Sequence, residues 1–253
     1  MIRSLAEDIS LTPTSREEII EGVLREGGKM LIAGPFLDKR AILLMLMELT
    51  VSIAEGERWL GFPCHKSRVL YINLELDRAS CINSLNHIYD ARQIPLKNPD
   101  NIHLWHLRGN TAPIEKLAPE IVRIVKANDI TSVIIDPLYK VAIDSERDED
   151  VRRFVNAADW IYSQVGCSII YHDHTLVTSS TDRAFSEFLD SSTLASDADA
   201  VIYASRFTLG DSKLKGRPEA GATAWRIQGT LREYKPFAPI NCWFSYPRFI
   251  LCE

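Results

Sequence analysis

Apolar and polar positions along the chain alternate between two periods. Residues 29–33 form a short apolar run closed by Gly34-Pro35, the pattern of a buried strand ending in a tight turn. Residues 39–55 are apolar almost all round, which predicts a deeply buried helix. Strand patterns recur at 68–74, 101–107, 131–136 and 167–172, separated by helical patterns at 77–92, 114–128 and 149–165. That alternation predicts βαβ units and a parallel sheet with helices on both faces. Near the start, Ser15 and Glu18 have capping-box spacing, so 16–25 is expected to be a helix stopped by Gly27-Gly28. Residues 173–195 are rich in Ser, Thr and Asp and are expected to form a long loop with some helix, the kind of segment that usually carries function. Apolar runs at 198–204, 222–229 and 241–246 have no helix between them and are expected to add antiparallel to one sheet edge. The expected organisation is an N-terminal arm, 1–14, and one domain, 15–253, without internal repeats.

Composition narrows the function classes. The 253 residues are 46% hydrophobic and 25% charged, with a net charge of -5. The acidic balance argues against bulk electrostatic attraction to nucleic acid and leaves a local basic patch open. No apolar stretch reaches the ~18 residues of a membrane span, and the N-terminus lacks a leader pattern, so no membrane partner is expected. Cys64, Cys81, Cys167, Cys242 and Cys252 are odd in number and contain no CxxC, which suits reduced thiols in a cytoplasmic protein, not a disulfide framework or zinc site.

Strand, Gly-containing turn and helix at 29–55 are the setting of a phosphate-binding loop, where backbone N–H groups converge on a helix N-terminus. The usual pattern is GxxxxGK[ST]. Here it reads Gly34-Pro35-Phe36-Leu37-Asp38-Lys39-Arg40-Ala41, with only the first glycine in place. Lys39 stands for the second glycine, Arg40 for the lysine, and Ala41 for the hydroxyl that ligates Mg²⁺. Arginine is wider than lysine and not equivalent to it. Each lost charge-assisted contact is worth about 1.5–3 kcal/mol, so several together imply ~10³-fold or weaker nucleotide binding. Two carboxylates stand in compatible places. Asp136 closes the apolar run TSVIID, either as a magnesium-holding aspartate or as a strand terminator. Glu75 follows VLYINL, either to polarise an attacking water or as a solvated carboxylate.

With these pieces in order, the sequence resembles a RecA-like P-loop ATPase. More narrowly, it is similar to the family related to the plasmid replicative helicase RepA, found on bacterial mobile elements and phages. The resemblance covers most of residues 16–250. It rests on REEIIEGVLREGGKMLIAGP, IAEGERWLGFPCHKSRVLYINLELDRASC, NIHLWHLRGN, SVIIDPLYKV, GCSIIYHDH, DADAVI, and WRIQGTLREY followed by INCWFSYP. It implies an α/β RecA-like core, a mostly parallel sheet flanked by helices with antiparallel C-terminal edge strands. It further implies assembly into rings or filaments, nucleotide between subunits, and loops that bind single-stranded DNA. By position Glu75 would be the catalytic base and Asp136 the Mg²⁺ aspartate. His172 and His174 fall where relatives carry a histidine-rich strand end. Relatives also carry a Gly/Ser-rich loop with an arginine before the Asp-x-Asp-Ala stretch. Here the glycines are gone and Ser196 occupies the arginine position, with Arg183 nearby as a substitute. Loss of an arginine acting across subunits removes a factor of ~10³–10⁵ in rate.

Losses at two separate phosphate-facing places suggest a chain that no longer depends on hydrolysis. The expectation is a binding or regulatory protein of a phage or mobile element, with no cofactor and with a protein partner or self-association. The competing readings are a DNA-dependent ATPase or helicase using ATP and Mg²⁺, and a repurposed nucleotide- or nucleic-acid-binding module. For the last, Lys213, Lys215 and Arg217 form a basic cluster that either touches DNA phosphates or is a solvated loop tip. Trp59, Trp105, Trp225 and Trp243 are either base-stacking platforms or core. Arg147, Arg152 and Arg153 alternate with acids, as in a salt-bridged helix start.

Overall fold

The computed structural model describes residues 2–11, 16–142, 148–175, 182–207, 218–219 and 221–252. Its first element is a helix, α1 (Leu5–Ser10), closed by a capping box between Ser4 and Glu7. Two short strands follow, β1 (Glu18–Ile20) and β2 (Leu24–Arg25), paired antiparallel. This corrects the helix expected over 16–25, whose N-cap Ser15 lies outside the described residues. Ile19, Ile20, Val23 and Leu24 have helical spacing, and all four are buried. But Gly22 sits at φ +68, and its N–H is held by the Glu18 carboxylate at 2.7 Å, which fixes a turn where the helix would run.

The body is built on one nine-stranded sheet. β3 (Lys29–Pro35) leads through a single 3₁₀ turn (Phe36–Asp38) into α2 (Lys39–Glu55). α2 buries thirteen of its seventeen residues, as its all-round apolarity predicts, and Gly56 ends it in the left-handed region. After the small hairpin of β4 (Arg58–Trp59) and β5 (Phe62–Pro63) come β6 (Val69–Asn73), α3 (Arg78–Arg92), β7 (Ile102–His106), α4 (Ile114–Asn128), β8 (Ser132–Asp136), α5 (Asp148–Val165) and β9 (Ser168–Thr175). Asp77 caps α3 by accepting from the Ser80 N–H at 3.0 Å. α6 (Asp182–Ser191) and α7 (Thr193–Asp197) cross to β10 (Ala200–Phe207), which precedes β11 (Thr223–Leu231), β12 (Ile240–Ser245) and β13 (Arg248–Leu251).

The sheet order is β13-β12-β11-β10-β3-β9-β8-β6-β7. β10, β3, β9, β8, β6 and β7 are parallel, and β11 to β13 extend one edge antiparallel. α2 and α3 share one apolar core with one face of the sheet, together with Trp225 and Phe249 of the edge strands. α4, α5 and residues of α6 and α7 share the other. Two expectations change. The segment 173–195 continues β9 to Thr175 and then holds α6 and α7 within its described part. β10 pairs parallel with β3 because those helices supply the crossover that a parallel connection needs. No helix among the described residues is long and apolar enough to cross a membrane. The cysteines are free, and burial pushes the Cys64, Cys81 and Cys167 thiols up to about 12.

Candidate functional site

The carboxyl ends of β3, β6, β8 and β9 form the edge at which an open α/β sheet binds ligands. The turn 34–41 lies there. Gly34 and Pro35 are still strand, paired with His174 and Thr175 of β9. A phosphate-binding nest needs successive residues of opposite backbone hand. None between Gly34 and Ala41 has positive φ. Pro35 is extended, Asp38 lies at φ -110 and Lys39 is already helical.

The charged side chains of the turn are each engaged by residues outside it. Lys39 Nζ lies 3.6 Å from the Glu75 carboxylate. Asp38 pairs with Arg206 of β10 at 3.1 Å. The Arg40 guanidinium stacks 4.1 Å from the ring centroid of Tyr246, in the β12–β13 connection. The Tyr246 hydroxyl lies 2.9 Å from Nδ1 of His87 on α3. Ala41 is buried. Lys39, Arg40, Glu75 and Tyr246 border a small cavity of about 250 Å³. Tyr246 carried no signal in the sequence, because only tertiary packing brings residue 246 beside residue 40.

Gly34 is a glycine because of packing. A Cβ there would lie 2.3 Å from Cδ1 and 2.7 Å from Cγ1 of Ile42, which is fully buried. Gly34→Ala is therefore expected to cost about 1–3 kcal/mol by overpacking. Combining it with Ile42→Ala should recover part of that loss, measured as non-additive denaturant midpoints.

The second cluster follows from strand register. Asn73 pairs with Asp136, and Ile32 with His172, so alternate residues of β6, β8 and β9 share the α2 face. Tyr71, Asp136 and His172 meet there, each at most 1% exposed. The Tyr71 hydroxyl donates a short hydrogen bond to Asp136 Oδ2, and His172 Nδ1 lies 2.9 Å from Asp136 Oδ1. Burial, then the Asp136 charge, pushes the Tyr71 phenol well above its usual value, so it remains a donor. Oδ2 thus accepts a hydrogen bond, while Oδ1 has the close approach of His172 but, among the described residues, no hydrogen bond. Glu75 is half-buried one turn further on. The Asn73 side chain holds that turn, accepting from the Leu76 N–H at 2.9 Å and donating to its carbonyl at 2.8 Å.

The remaining sequence candidates lie elsewhere or outside the description. Arg183 is on α6, 2.7 Å from Glu187. Ser196 bonds the Thr193 carbonyl within α7. Asp197 and Asp199 sit at the opposite end of β3, against Lys29 Nζ and Lys29 N–H respectively. Asp199 borders a charged cavity of about 490 Å³ at that end, away from the turn. Its Glu233, Asp159 and Asp199 carboxylates pair with Arg25, Lys29 and Arg232 respectively, an ion-pair network. Arg147, Lys213, Lys215, Arg217 and the side chain of His174 are outside the described residues. Trp59, Trp225 and Trp243 are core, and Trp105 is half-buried on edge strand β7. The Trp59 indole donates to the Met45 carbonyl at 3.2 Å and Trp225 to the Thr223 hydroxyl at 2.8 Å, which removes these two as stacking platforms. Arg153 pairs with Glu149 and Asp150 at the start of α5, as its charge pattern predicts. Among the described residues no group of three or more His, Cys, Asp or Glu side chains is placed to hold a metal ion.

Comparison with known proteins agrees with this architecture. No curated protein matches the sequence. A KaiC-like protein from the hyperthermophilic archaeon Pyrococcus horikoshii superposes with a TM-score of 0.57 at 14% identity, covering 95% of this chain and 100% of that one. At that identity the likeness establishes the fold, a RecA-like α/β sheet. A family model described as an AAA domain matches residues 2–180, which span the turn, Glu75, Asp136 and both histidines of β9. The chain therefore belongs to the AAA-domain family.

Proposed function

We propose that this chain is an ATPase-family protein that does not hydrolyse ATP and acts as a binding or regulatory protein, with a phage or mobile element as its setting. The observation that carries the reading is the turn 34–41, which has no left-handed residue to form a nest. Its three charged side chains are also all engaged by other residues. A magnesium-bound triphosphate fits these residues poorly. Ala41 has no hydroxyl, Arg40 is stacked on Tyr246, and Asp136 is closed in by Tyr71 and His172. Glu75, paired with Lys39, then serves to hold the turn and not to activate water.

The test is melting with and without millimolar Mg-ATP, together with phosphate release. A nucleotide at a hundred times its dissociation constant would add about 2.7 kcal/mol, or roughly 5–11 °C at this size. The expected shift is under about 1 °C, with no phosphate released above a blank. Turnover abolished by Glu75→Gln would overturn the proposal and return the chain to the active ATPases.

A further inference from the structure

The charged cavity at the start of β3 measures about 490 Å³, a volume usual for a small-molecule site. The β1–β2 hairpin builds part of its wall. The base of that hairpin ties the Glu26 N–H to the Glu17 carbonyl at 2.8 Å and the Arg25 guanidinium to the Arg16 carbonyl at 3.1 Å, so Arg16 and Glu26 both reach the cavity. Gly27 lines it at φ +86. A Cβ there would sit 2.5 Å from Arg16 Nη1 and 2.7 Å from Tyr162 Cε2, so glycine is what lets that guanidinium and ring close over the backbone.

Most of the ionised groups around this space are taken up by one another, as Glu233 by Arg25, Asp159 by Lys29 and Asp199 by Arg232. Arg16 and Glu26 are the exceptions. Among the described residues neither has an ion-pair partner, and Arg16 makes one hydrogen bond, from Nη1 to the Gly166 carbonyl at 2.7 Å. The backbone donors nearby are already used. The Gly27 N–H goes to Ser168 Oγ at 3.0 Å, the Gly28 N–H to the Arg25 carbonyl at 3.0 Å, and the Lys29 N–H to Asp199 at 2.9 Å. A phosphate would therefore find no nest of N–H groups here, and Glu26 would repel it. One free cation and one free carboxylate suit a neutral ligand that accepts along one edge and donates along another. Flat surfaces are present too. Arg16 lies over the Tyr162 ring at 5.0 Å and Arg25 over the Tyr234 ring at 5.2 Å, and planar bases stack on such groups.

We propose that this cavity binds a guanine nucleoside, with the Glu26 carboxylate accepting from the ring N–H and the 2-amino group of the base, and Arg16 donating to its ring carbonyl and N7. Guanine is the common base that carries both patterns. Its two adjacent donors match the two oxygens of one carboxylate, and its carbonyl and N7 match the fork of a guanidinium. Adenine sets a ring lone pair beside its amino group, so one Glu26 oxygen would face another acceptor. The site is independent of the nucleotide reading above. It lies at the other end of β3 from the turn, and a nucleoside carries no phosphate for the turn to hold.

The experiment is calorimetric titration of the full chain with guanosine, inosine and adenosine, each up to about 1 mM. Guanosine is expected to bind with a dissociation constant below about 100 µM. Inosine lacks the 2-amino group, and the loss of one hydrogen bond to a carboxylate should weaken it at least about tenfold. Adenosine should give no heat of binding in this range. Glu26→Gln should weaken guanosine at least about tenfold and bring inosine within about threefold of it, because one acceptor then remains for either base. Arg16→Gln should weaken guanosine and inosine alike, since both carry the ring carbonyl and N7. The comparison among nucleosides needs no variant, so it stands even where a variant fails to fold. No heat with guanosine at about 1 mM overturns the proposal. So do equal affinities for guanosine and adenosine, or a Glu26→Gln chain that keeps the parent's preference for guanosine over inosine.

Discussion

Asp136→Ala is expected to lower the unfolding free energy by about 3 kcal/mol or more. The substitution removes the acceptor of the Tyr71 hydroxyl and the carboxylate facing His172, leaving both groups in a site that water does not reach. A buried donor without its acceptor costs about 1–3 kcal/mol, which falls on Tyr71, and the space vacated beside His172 adds a cavity cost. Asp136→Asn keeps an oxygen for Tyr71 and should cost less than half as much. Denaturant unfolding of the three chains checks this. An aspartate whose task is to hold a metal gives the opposite pattern, in which nucleotide binding disappears and stability changes by less than about 0.5 kcal/mol. The stability change alone thus separates a structural carboxylate from a metal-holding one.

The second large effect is a pH dependence centred on Glu48. This residue lies mid-way along α2, 5% exposed, with Arg92 Nε of α3 at 3.6 Å and the Phe249 N–H of β13 at 3.2 Å. Arg248 adds a further positive charge. Burial outweighs these partners and pushes the carboxyl up to about 7. Below about pH 4.5 the folded and unfolded chains both hold the proton, and Glu48 costs nothing. Between about 4.5 and 7 the unfolded chain gives it up while the folded chain keeps it, so stability falls as pH rises. Above about 7 the loss levels off near 3 kcal/mol. Glu48→Gln should therefore gain stability at pH 8 relative to the parent and little at pH 4. Its gain is smaller than the full 3 kcal/mol, because Arg92 loses a carboxylate while keeping the Ser52 hydroxyl and the Arg58 carbonyl. Equal differences at both pH values would show that the carboxyl is ordinary. The site joins α2, which starts at the turn, to the C-terminal hairpin that carries Tyr246. The same pH range should therefore loosen the Arg40–Tyr246 stack.

Much of the parallel sheet was legible because its signals are local. The apolar runs at 29–33, 68–74 and 131–136 and the helices between them follow from periodicity, and each lies within two residues of its observed bounds. The misreadings share a cause. Ile19, Ile20, Val23 and Leu24 have a spacing that suits a helix and also suits a hairpin buried on one side, and only Gly22 and its bond to Glu18 separate the two. For β10, the strand itself was visible, but its direction depends on α6 and α7, whose weak patterns merged with a Ser/Asp-rich stretch.

The sequence by itself determined the fold class and the chemistry that residues 34–41 lack. A missing hydroxyl at Ala41 or a missing glycine at Lys39 is a covalent fact that no packing can restore. What only the tertiary structure decided is what the surviving groups do. Asp136 faces Tyr71 and His172, Lys39 faces Glu75, and Arg40 lies against Tyr246, a residue about two hundred positions away in the chain. The physical reason is that a side chain's role is set by its neighbours in space. Strand register and a distant hairpin supply those neighbours, and neither leaves a mark in the local pattern of residues.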